Sequence, residues 1–412
     1  MEPARAEEVA HRSLQIGRIL LGSGSDTGQV RSAMTSFASA FDCEAHLMVS
    51  YEALLLTVVA DNQFRTKIGY RIPAMNVNMA LVAAVTNLVG KVEQRQIDLG
   101  KSGEELDRIE HLPPVYGRWA VIIAIGLTAG SLARLFGSDW ATFWVSWVAG
   151  SLGMWLRQIL GRLRFNLFLI PFAGALTGGL IGGVAVRMGL SNTPALCLVA
   201  PGMIIVPGVP LVNGVQDIIK NHVTMGLARL GLGLVITLAI AFGLIIATGL
   251  TGATIPVEAT QYLLSVPEDA LFSALAAVGY LLLFNVPFRF AWAGVVCGLA
   301  SHTIRTLCLH LGIDIISGTL IGALAVGFLA QRFARYFAAP AVAFAFPGVV
   351  AMVPGAFAFR AVIGALKIIH EGAAANVALV NETIALAMSC VLMVGAIAIG
   401  IAVPLAVREP SG

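Results

Sequence analysis

The sequence predicts an α-helical polytopic membrane protein, with two five-helix inverted repeats preceded by a small α+β cytoplasmic domain. Three observations carry that reading. The chain of 412 residues is 58% hydrophobic and only 12% charged, with a mean hydropathy of +0.85, whereas a soluble domain carries about 25% charged residues. The charge is gathered at one end: 12 basic and 14 acidic residues fall in residues 1–118, out of 26 basic and 23 acidic in all. The apolar remainder holds two similar proline-glycine blocks, one in each half. Residues 1–117 therefore read as the N-terminal domain, 118–252 as the first membrane repeat and 253–412 as the second.

In the N-terminal part, residues 5–22 and 27–40 have helical periodicity. The turn GSGSD at Gly22–Asp26 separates them and leaves Asp26 or Thr27 to cap the second helix. EAHLMVSYEALLLTVVA reads as two short strands, with a third near Arg65–Arg71. Residues 76–90 and 102–111 read as helices, and Ser102 with Glu105 three positions on has the pattern of a capping box. GSGS lacks the G-x-S-x-G frame of a serine nucleophile, and His11, His46 and His111 have no evident partner. Packing or docking against the membrane part is the expected task of this domain. The charged start MEPARAEEVAHRS has no apolar core, so no signal peptide is expected. A net charge of +3 is too small to call for nucleic acid. The five cysteines have no metal or redox spacing, and no cofactor or metal is expected.

A membrane helix needs about 20 mostly apolar residues. Ten candidates follow, centred near residues 127, 149, 176, 206, 238, 276, 296, 320, 351 and 393. Basic residues gather on the cytoplasmic side of membrane proteins. With the N-terminal domain inside, Arg118, Arg157, Arg162, Arg164, Lys220, Arg289, Arg332, Arg335 and Arg408 lie inside. Arg134, Arg187, Arg305 and Lys367 lie outside, and Arg360 lies within a span. Both termini are then cytoplasmic, and the acidic stretch PVEATQYLLSVPED suits the outside. The glycine-rich stretches TGGLIGG and GLARLGLGL read as helix contacts, where Gly182→Ala is expected to matter less than bulk at the proline-glycine pairs. Trp140, Trp144, Trp147 and Trp155 read as interfacial belt residues.

The fourth helix carries Pro201-Gly202 and Pro207-Gly208, and the ninth, fourth of its own set, carries Pro347-Gly348 and Pro354-Gly355. Placing Val206-Pro207-Gly208 over Val353-Pro354-Gly355 puts Asn213 over Arg360 and Lys220 over Lys367. An odd number of helices per repeat inverts the second copy, and inverted repeats with broken helices build midplane sites in secondary transporters. Freed backbone is tolerated at that depth only where it is buried or lines a polar cavity. Pro210, Asn213, Asp217 and Lys220 recur on one helical face, either as a cavity lining or as a headgroup anchor, and Asp217 is the carboxylate expected to take a proton or a substrate amine. Arg229 is placed to pair with Asp217 across a helical hairpin or to snorkel. Glu382, at the start of the tenth helix, is either an outer cap or a proton-carrying carboxylate. The expected solute cavity lies between the fourth and ninth helices, bounded by Pro207, Gly208, Asn213, Pro354, Gly355 and Arg360.

GRILLGSGSDTGQV, NVNMALVAAVTNLV and VPGVPLVNGVQDIIKNHVTMGLARL resemble the threonine/serine exporter family, and FPGVVAMVPGAFAFRAVIGAL resembles its second half. The resemblance runs from about Leu14 to Leu405, with Ala351 where the pattern would carry a proline. It implies a cytoplasmic N-terminal domain, ten membrane helices and export of small hydroxy amino acids driven by the proton motive force. In some bacteria the halves of this family are separate subunits, associated with dicarboxylate export. The expectation is thus a non-enzymatic exporter of threonine and serine in the bacterial inner membrane, with protons and the bilayer as partners and a homo-oligomer left open. Its runner-up is a dicarboxylate exporter, favoured if Arg360, Lys367 and Arg229 all face the cavity. An intramembrane hydrolase would need two acids meeting at depth, and no G-x-x-x-x-G-K-[ST] loop offers ATP. Cysteines introduced near Glu258 and near Arg332 are expected to react with an impermeant reagent from opposite membrane faces; labelling from one face would reject the topology.

Overall fold

The computed structural model describes residues 3–61, 63–70, 76–253 and 263–406. Arg71, the connection at 254–262 with Glu258, and Arg408 lie outside the described residues.

The N-terminal domain follows its periodicity closely. Helices α1 (Pro3–Gly22) and α2 (Thr27–Ser39) lead into strands β1 (Glu44–Val49), β2 (Ala53–Ala60) and β3 (Gln63–Tyr70), then α3 (Met79–Glu93) and α4 (Leu99–Glu110). The strands form an antiparallel meander, with Leu47 opposite Leu56 and Thr57 opposite Thr66. Leu54, Leu56 and Val58 alternate onto the buried face, in one core with Ile16, Met34 and Phe37. Asp26 caps α2, accepting from Gln29 N at 3.1 Å. The capping box does not form: α4 starts one turn earlier, capped by Asp98, and Ser102 Oγ turns back to Leu99 O inside the helix.

The apolar part begins with α5 (Arg118–Leu135), α6 (Trp140–Arg162) and α7 (Leu169–Arg187). A bent pair follows, α8 (Pro194–Met203) with α9 (Gly208–Ile219), then α10 (Val223–Thr251). The second half repeats the order with α11 (Val266–Leu283), α12 (Phe288–His310), α13 (Ile315–Phe337), a bent pair α14 (Val342–Val349) with α15 (Gly355–Glu371), and α16 (Val377–Ala406). Each half packs its first helix on its second, second on third, third on last, and last on the helix after the bend. The halves meet along α5 and α11, and the last helix of each touches the post-bend helix of the other.

Six helices are long and apolar enough to cross a membrane, and up to eight spans result if each bent pair is one. Of the ten expected spans, α6 and α12 fall outside that set. Each has 23 residues, about 35 Å at 1.5 Å per residue, so length is not what they lack. Their apolarity is diluted by Arg157 in α6 and by His302 and Arg305 in α12, which line cavities. Leu227, Leu234, Val391 and Ile399 are exposed on α10 and α16, an apolar surface suited to lipid rather than water. Trp140, Trp144 and Trp155 are exposed, whereas Trp147 stacks on Trp144 at 5.1 Å.

The two bends have the same local chemistry. Proline has no N–H to donate, and at Pro207 and Pro354 the backbone folds into an inverse γ-turn. Both have φ −77°, and the next glycine N–H returns to the valine carbonyl, Gly208 to Val206 at 2.8 Å and Gly355 to Val353 at 2.7 Å. The axis turns by 60° in the first half and 45° in the second. Pro201 and Pro347 stay inside α8 and α14, so one proline-glycine pair of each two makes the break.

Gly182 corrects the sequence expectation. A methyl there would drive into the Cys197 carbonyl oxygen of α8, a backbone atom that cannot turn aside, while Gly231 has nothing within 4 Å. Gly182→Ala is expected to cost about 1–3 kcal/mol as overpacking, whereas Gly231→Ala should be neutral or slightly stabilising by helix propensity. Thermal unfolding of the full chain in detergent reads the difference; equal midpoints would contradict this packing.

Candidate functional site

The two bends touch each other at the centre of the bundle. A Cβ on Gly355 would come 2.6 Å from a Val206 methyl, and a Cβ on Gly208 would come 3.1 Å from a Val353 methyl. Each break thus receives the valine of the other. This corrects the expectation of one cavity between them: the space is divided. A proximal cavity of about 200 Å³, on the side of the N-terminal domain, is lined by Val206, Pro207, Gly208, Val209 and Pro210 with Arg157 and Tyr280. A distal cavity of about 260 Å³ is lined by Val353, Pro354, Ala356 and Phe357 with Asp269, His302, Arg305 and Arg360. The linings correspond around the breaks. The shift that lays Pro207 on Pro354 also lays Val209 on Ala356 and Pro210 on Phe357, and within one position it pairs Leu135 and Phe136 with Leu283 and Phe284.

The distal cavity holds a polar chain that sequence reading missed. Asp269, from the first turn of α11, accepts from His302 Nδ1 at 2.7 Å, Thr306 Oγ1 at 2.7 Å and Ser273 Oγ at 3.3 Å. Arg305 Nη2 donates to His302 Nε2; arginine only donates, so the imidazole proton sits on Nδ1 and points at the carboxylate. Arg305 and Arg360 are each 8% exposed, and the Nε of each has no partner among the described residues. Glu382 contributes its charge at Arg360. It is not a cap: α16 starts earlier, where Asn376 Oδ1 accepts from Ala378 N at 3.0 Å. The available signal was His302, Arg305 and Thr306 at i, i+3 and i+4 in an otherwise apolar helix, one face by helical spacing. Lys367 is absent from both linings.

Asn213, Asp217, Lys220 and Arg229 sit outside both cavities, which is a second correction, while Arg229 pairs with Asp217 as one of its two expectations had it. They receive the α1–α2 turn of the N-terminal domain. Asn213 Nδ2 donates to Gly24 O at 2.8 Å, Arg229 Nη2 donates to Ser25 O at 2.7 Å, and Lys220 Nζ reaches Asp26 at 3.1 Å. Asp217 accepts from both the N–H and the hydroxyl of Thr27 at 2.9 Å. Arg229 Nη1 lies 3.0 Å from Asp217 Oδ2, with both side chains 0% exposed. The contact is an ion pair rather than an aligned hydrogen bond, since Nη1 has no hydrogen-bond partner. Gly24 has φ +90°, a conformation glycine adopts without strain, and this lets the turn present its carbonyls to the membrane part. A second strap joins α3 to the α11–α12 connection, through Met79 N to Phe284 O and Asn285 Nδ2 to Asn78 Oδ1.

Other titratable groups have structural explanations. Asp139, in the connection between α5 and α6, is pushed up by burial, but the N–H groups of Thr142 and Asn192 and the Thr142 and Ser191 hydroxyls bring it below the usual carboxylate range. It ties the distal ends of α6 and α7 together. Among the described residues no group of three or more His, Cys, Asp or Glu could hold a metal ion. Cys43, Cys197, Cys297 and Cys308 are buried.

Comparisons with known proteins place these features in context. Residues 11–251 match the family described as putative threonine/serine exporter, and residues 269–407 match the one described as Threonine/Serine exporter, ThrE. The chain is 27% identical over 378 residues to a probable threonine/serine exporter of Mycobacterium tuberculosis, covering 88% of this chain and 71% of that protein. It is 27% identical over 257 residues to the probable succinate transporter subunit YjjP of Escherichia coli, covering 61% of this chain and 98% of that one. An uncharacterized protein of Haemophilus influenzae is 32% identical over 145 residues, 35% of this chain and 48% of its own. No solved structure gives a significant match.

The docked turn should be measurable as stability. Removing one partner of a buried ion pair leaves the other charge uncompensated and costs about 3–5 kcal/mol. Asp217→Ala and Arg229→Met are each expected to lower the thermal midpoint of the detergent-solubilised chain strongly, and Asp217→Ala/Arg229→Met together to lower it by less than the sum. Additive effects would show that the two side chains do not depend on each other.

Proposed function

The chain belongs to the threonine/serine exporter family, and we propose that it is a secondary active exporter of small amino acids, threonine and serine first. In this reading ten spans form two five-helix inverted repeats in the inner membrane, with both termini cytoplasmic and the N-terminal domain on the cytoplasmic face. The proximal cavity is then open toward the cytoplasm and the distal one toward the outside. The observation that carries the reading is the reciprocal seal between the breaks, Gly208 on Val353 and Gly355 on Val206, with a cavity on each side. A solute passes when the valines part on one side while the other stays closed, as inverted repeats rocking about a midplane site allow. The sequence offers no phosphate-binding loop, so an ion gradient supplies the energy, and protons are the ion we assign. Glu382, whose charge acts on Arg360 of the distal cavity, is the carboxylate we assign to proton movement, while Asp217 is held in the docking of the N-terminal domain.

A dicarboxylate exporter is the second reading. It is favoured by two guanidinium groups in one cavity and by the printed name of the Escherichia coli relative. It is weakened because Arg229, one of the three cations it called on, pairs with Asp217 outside the cavity. A hydrolase reading has little support: the family is one of transporters, and Asp217 and Glu382 have different partners.

Proteoliposomes loaded with labelled threonine, serine or succinate test the reading. Threonine and serine efflux should accelerate when the outside is made acid, and Glu382→Gln should abolish the acceleration without lowering the thermal midpoint. Efflux of succinate alone would select the second reading, and efflux insensitive to the pH gradient would remove the coupling. Gly355→Ala should impair efflux more than Gly208→Ala, because its methyl meets Val206 closer than the other meets Val353.

A further inference from the structure

The two cavities share one more correspondence. The shift that superposes α6 on α12 lays Arg157 on Arg305. Arg157 lines the proximal cavity and Arg305 the distal one, and in both the Nε has no partner among the described residues. A buried guanidinium is costly unless its donors are satisfied. Arg305 has one nitrogen engaged with His302, which Asp269 holds in place from the far side. His302, Thr306 and Ser273 occupy the oxygens of Asp269, so its charge acts on Arg305 through the imidazole between them and not by a direct pair. Two guanidinium groups, Arg305 and Arg360, line the distal space; Asp269, the carboxylate in that lining, is already hydrogen-bonded, and Glu382 adds its charge at Arg360 from outside the lining. The proximal space has Arg157 beside the Pro207 break, its stem packed on Gly174. Planar forked donors match a carboxylate in two-point geometry, and both cavities border the freed backbone of a break.

We propose that Arg157 and Arg305 are repeat-related carboxylate receptors, one for each side of the seal: Arg157 engages the solute carboxylate at the proximal cavity, and Arg305 with Arg360 at the distal one. Asp269 and His302 are positioning residues that aim Arg305. The ligand class is a small carboxylate, whether the α-carboxylate of an amino acid or one end of a dicarboxylate. This rests on the exporter reading for the path but not for the substrate.

The wild-type full chain in proteoliposomes gives the first test. Competition against labelled threonine should be strong for threonine and absent for threoninol, which keeps the ammonium and hydroxyl and lacks the carboxylate. In the variants, Arg157→Gln should raise the half-saturating internal threonine concentration by about ten-fold or more, the loss of one charge-assisted contact. Arg305→Gln and Arg360→Gln should do so for external threonine in counterflow. Arg305→Lys should recover part of the loss, and His302→Gln should weaken external but not internal threonine. If the wild type carries succinate and not threonine, the amino-acid reading falls, and the same variants are run with succinate against succinamide, which lacks the charges. Threoninol or succinamide competing as well as its acid would overturn the proposal without any variant. So would Gln variants, folded by size-exclusion profile, whose half-saturation stays within about two-fold of the wild type. A wild type that binds and moves no carboxylate would overturn both readings.

Discussion

Unpaired backbone at membrane depth is the constraint on which the rest of this structure depends. A peptide group left without a partner in hydrocarbon costs several kcal/mol, and Pro207 and Pro354 each break a helical ladder there. The chain meets the cost in two ways. Locally, each proline turns into an inverse γ-turn that pairs the following glycine N–H with the preceding valine carbonyl. Globally, each turn lies against the other, with valine set into the space that glycine leaves. Neither break could face lipid, so the two bent pairs must lie at the centre and the long apolar helices α10 and α16 outside them.

The N-terminal domain is bound to that centre by a polar junction. Asp217 and Arg229 are fully buried, and a bare pair at that depth gains little over well-packed apolar residues. What makes the pair tolerable is the turn from Gly24 to Thr27, which supplies two donors to Asp217 and a carbonyl acceptor each to Arg229 and Asn213. The turn and the pair therefore stabilise each other. The contact falls on α9 and α10, the helices directly after the first break, so a movement of α9 that parts Gly208 from Val353 must either carry the N-terminal domain along or strain these bonds.

The sequence made the breaks legible because proline and glycine state their geometry locally, and the strands and helices of the first 110 residues were legible through periodicity. The polar stripe on α9 was legible as a stripe and misread as a cavity lining. Asn213, Asp217 and Lys220 have the spacing either use would require, and their partners lie 189 to 194 positions away in the chain, where no local pattern reaches. The distal cluster was overlooked for the opposite reason. His302, Arg305 and Thr306 made α12 look less like a span, and Asp269 stood in an acidic connection that read as an outer loop. Apolarity undervalues a helix whose charges face inward, which is also why α6 and α12 fall short of a span by composition. Gly182 looked like ordinary small-residue packing; only the Cys197 carbonyl above it shows that no methyl fits.

The correspondence of the two linings bears on how a single chain keeps its two sides distinct. If both halves had the same shape in the same state, the two cavities would match in volume and in openings. They match around the breaks but differ beyond them: the distal cavity adds Asp269, His302 and Arg360 to the arginine both contain. A distal occupant therefore meets two guanidinium groups backed by Asp269 and a hydrogen-bonded imidazole, while a proximal one meets one guanidinium and the aromatic wall of Tyr280. Both cavities thus border a break and carry a guanidinium, and the distal one adds a second guanidinium with a hydrogen-bonded support behind the first. Substitutions in α11, α12 and α15 should therefore act on the distal cavity alone, while bulk at the two breaks, common to both halves, should act on both.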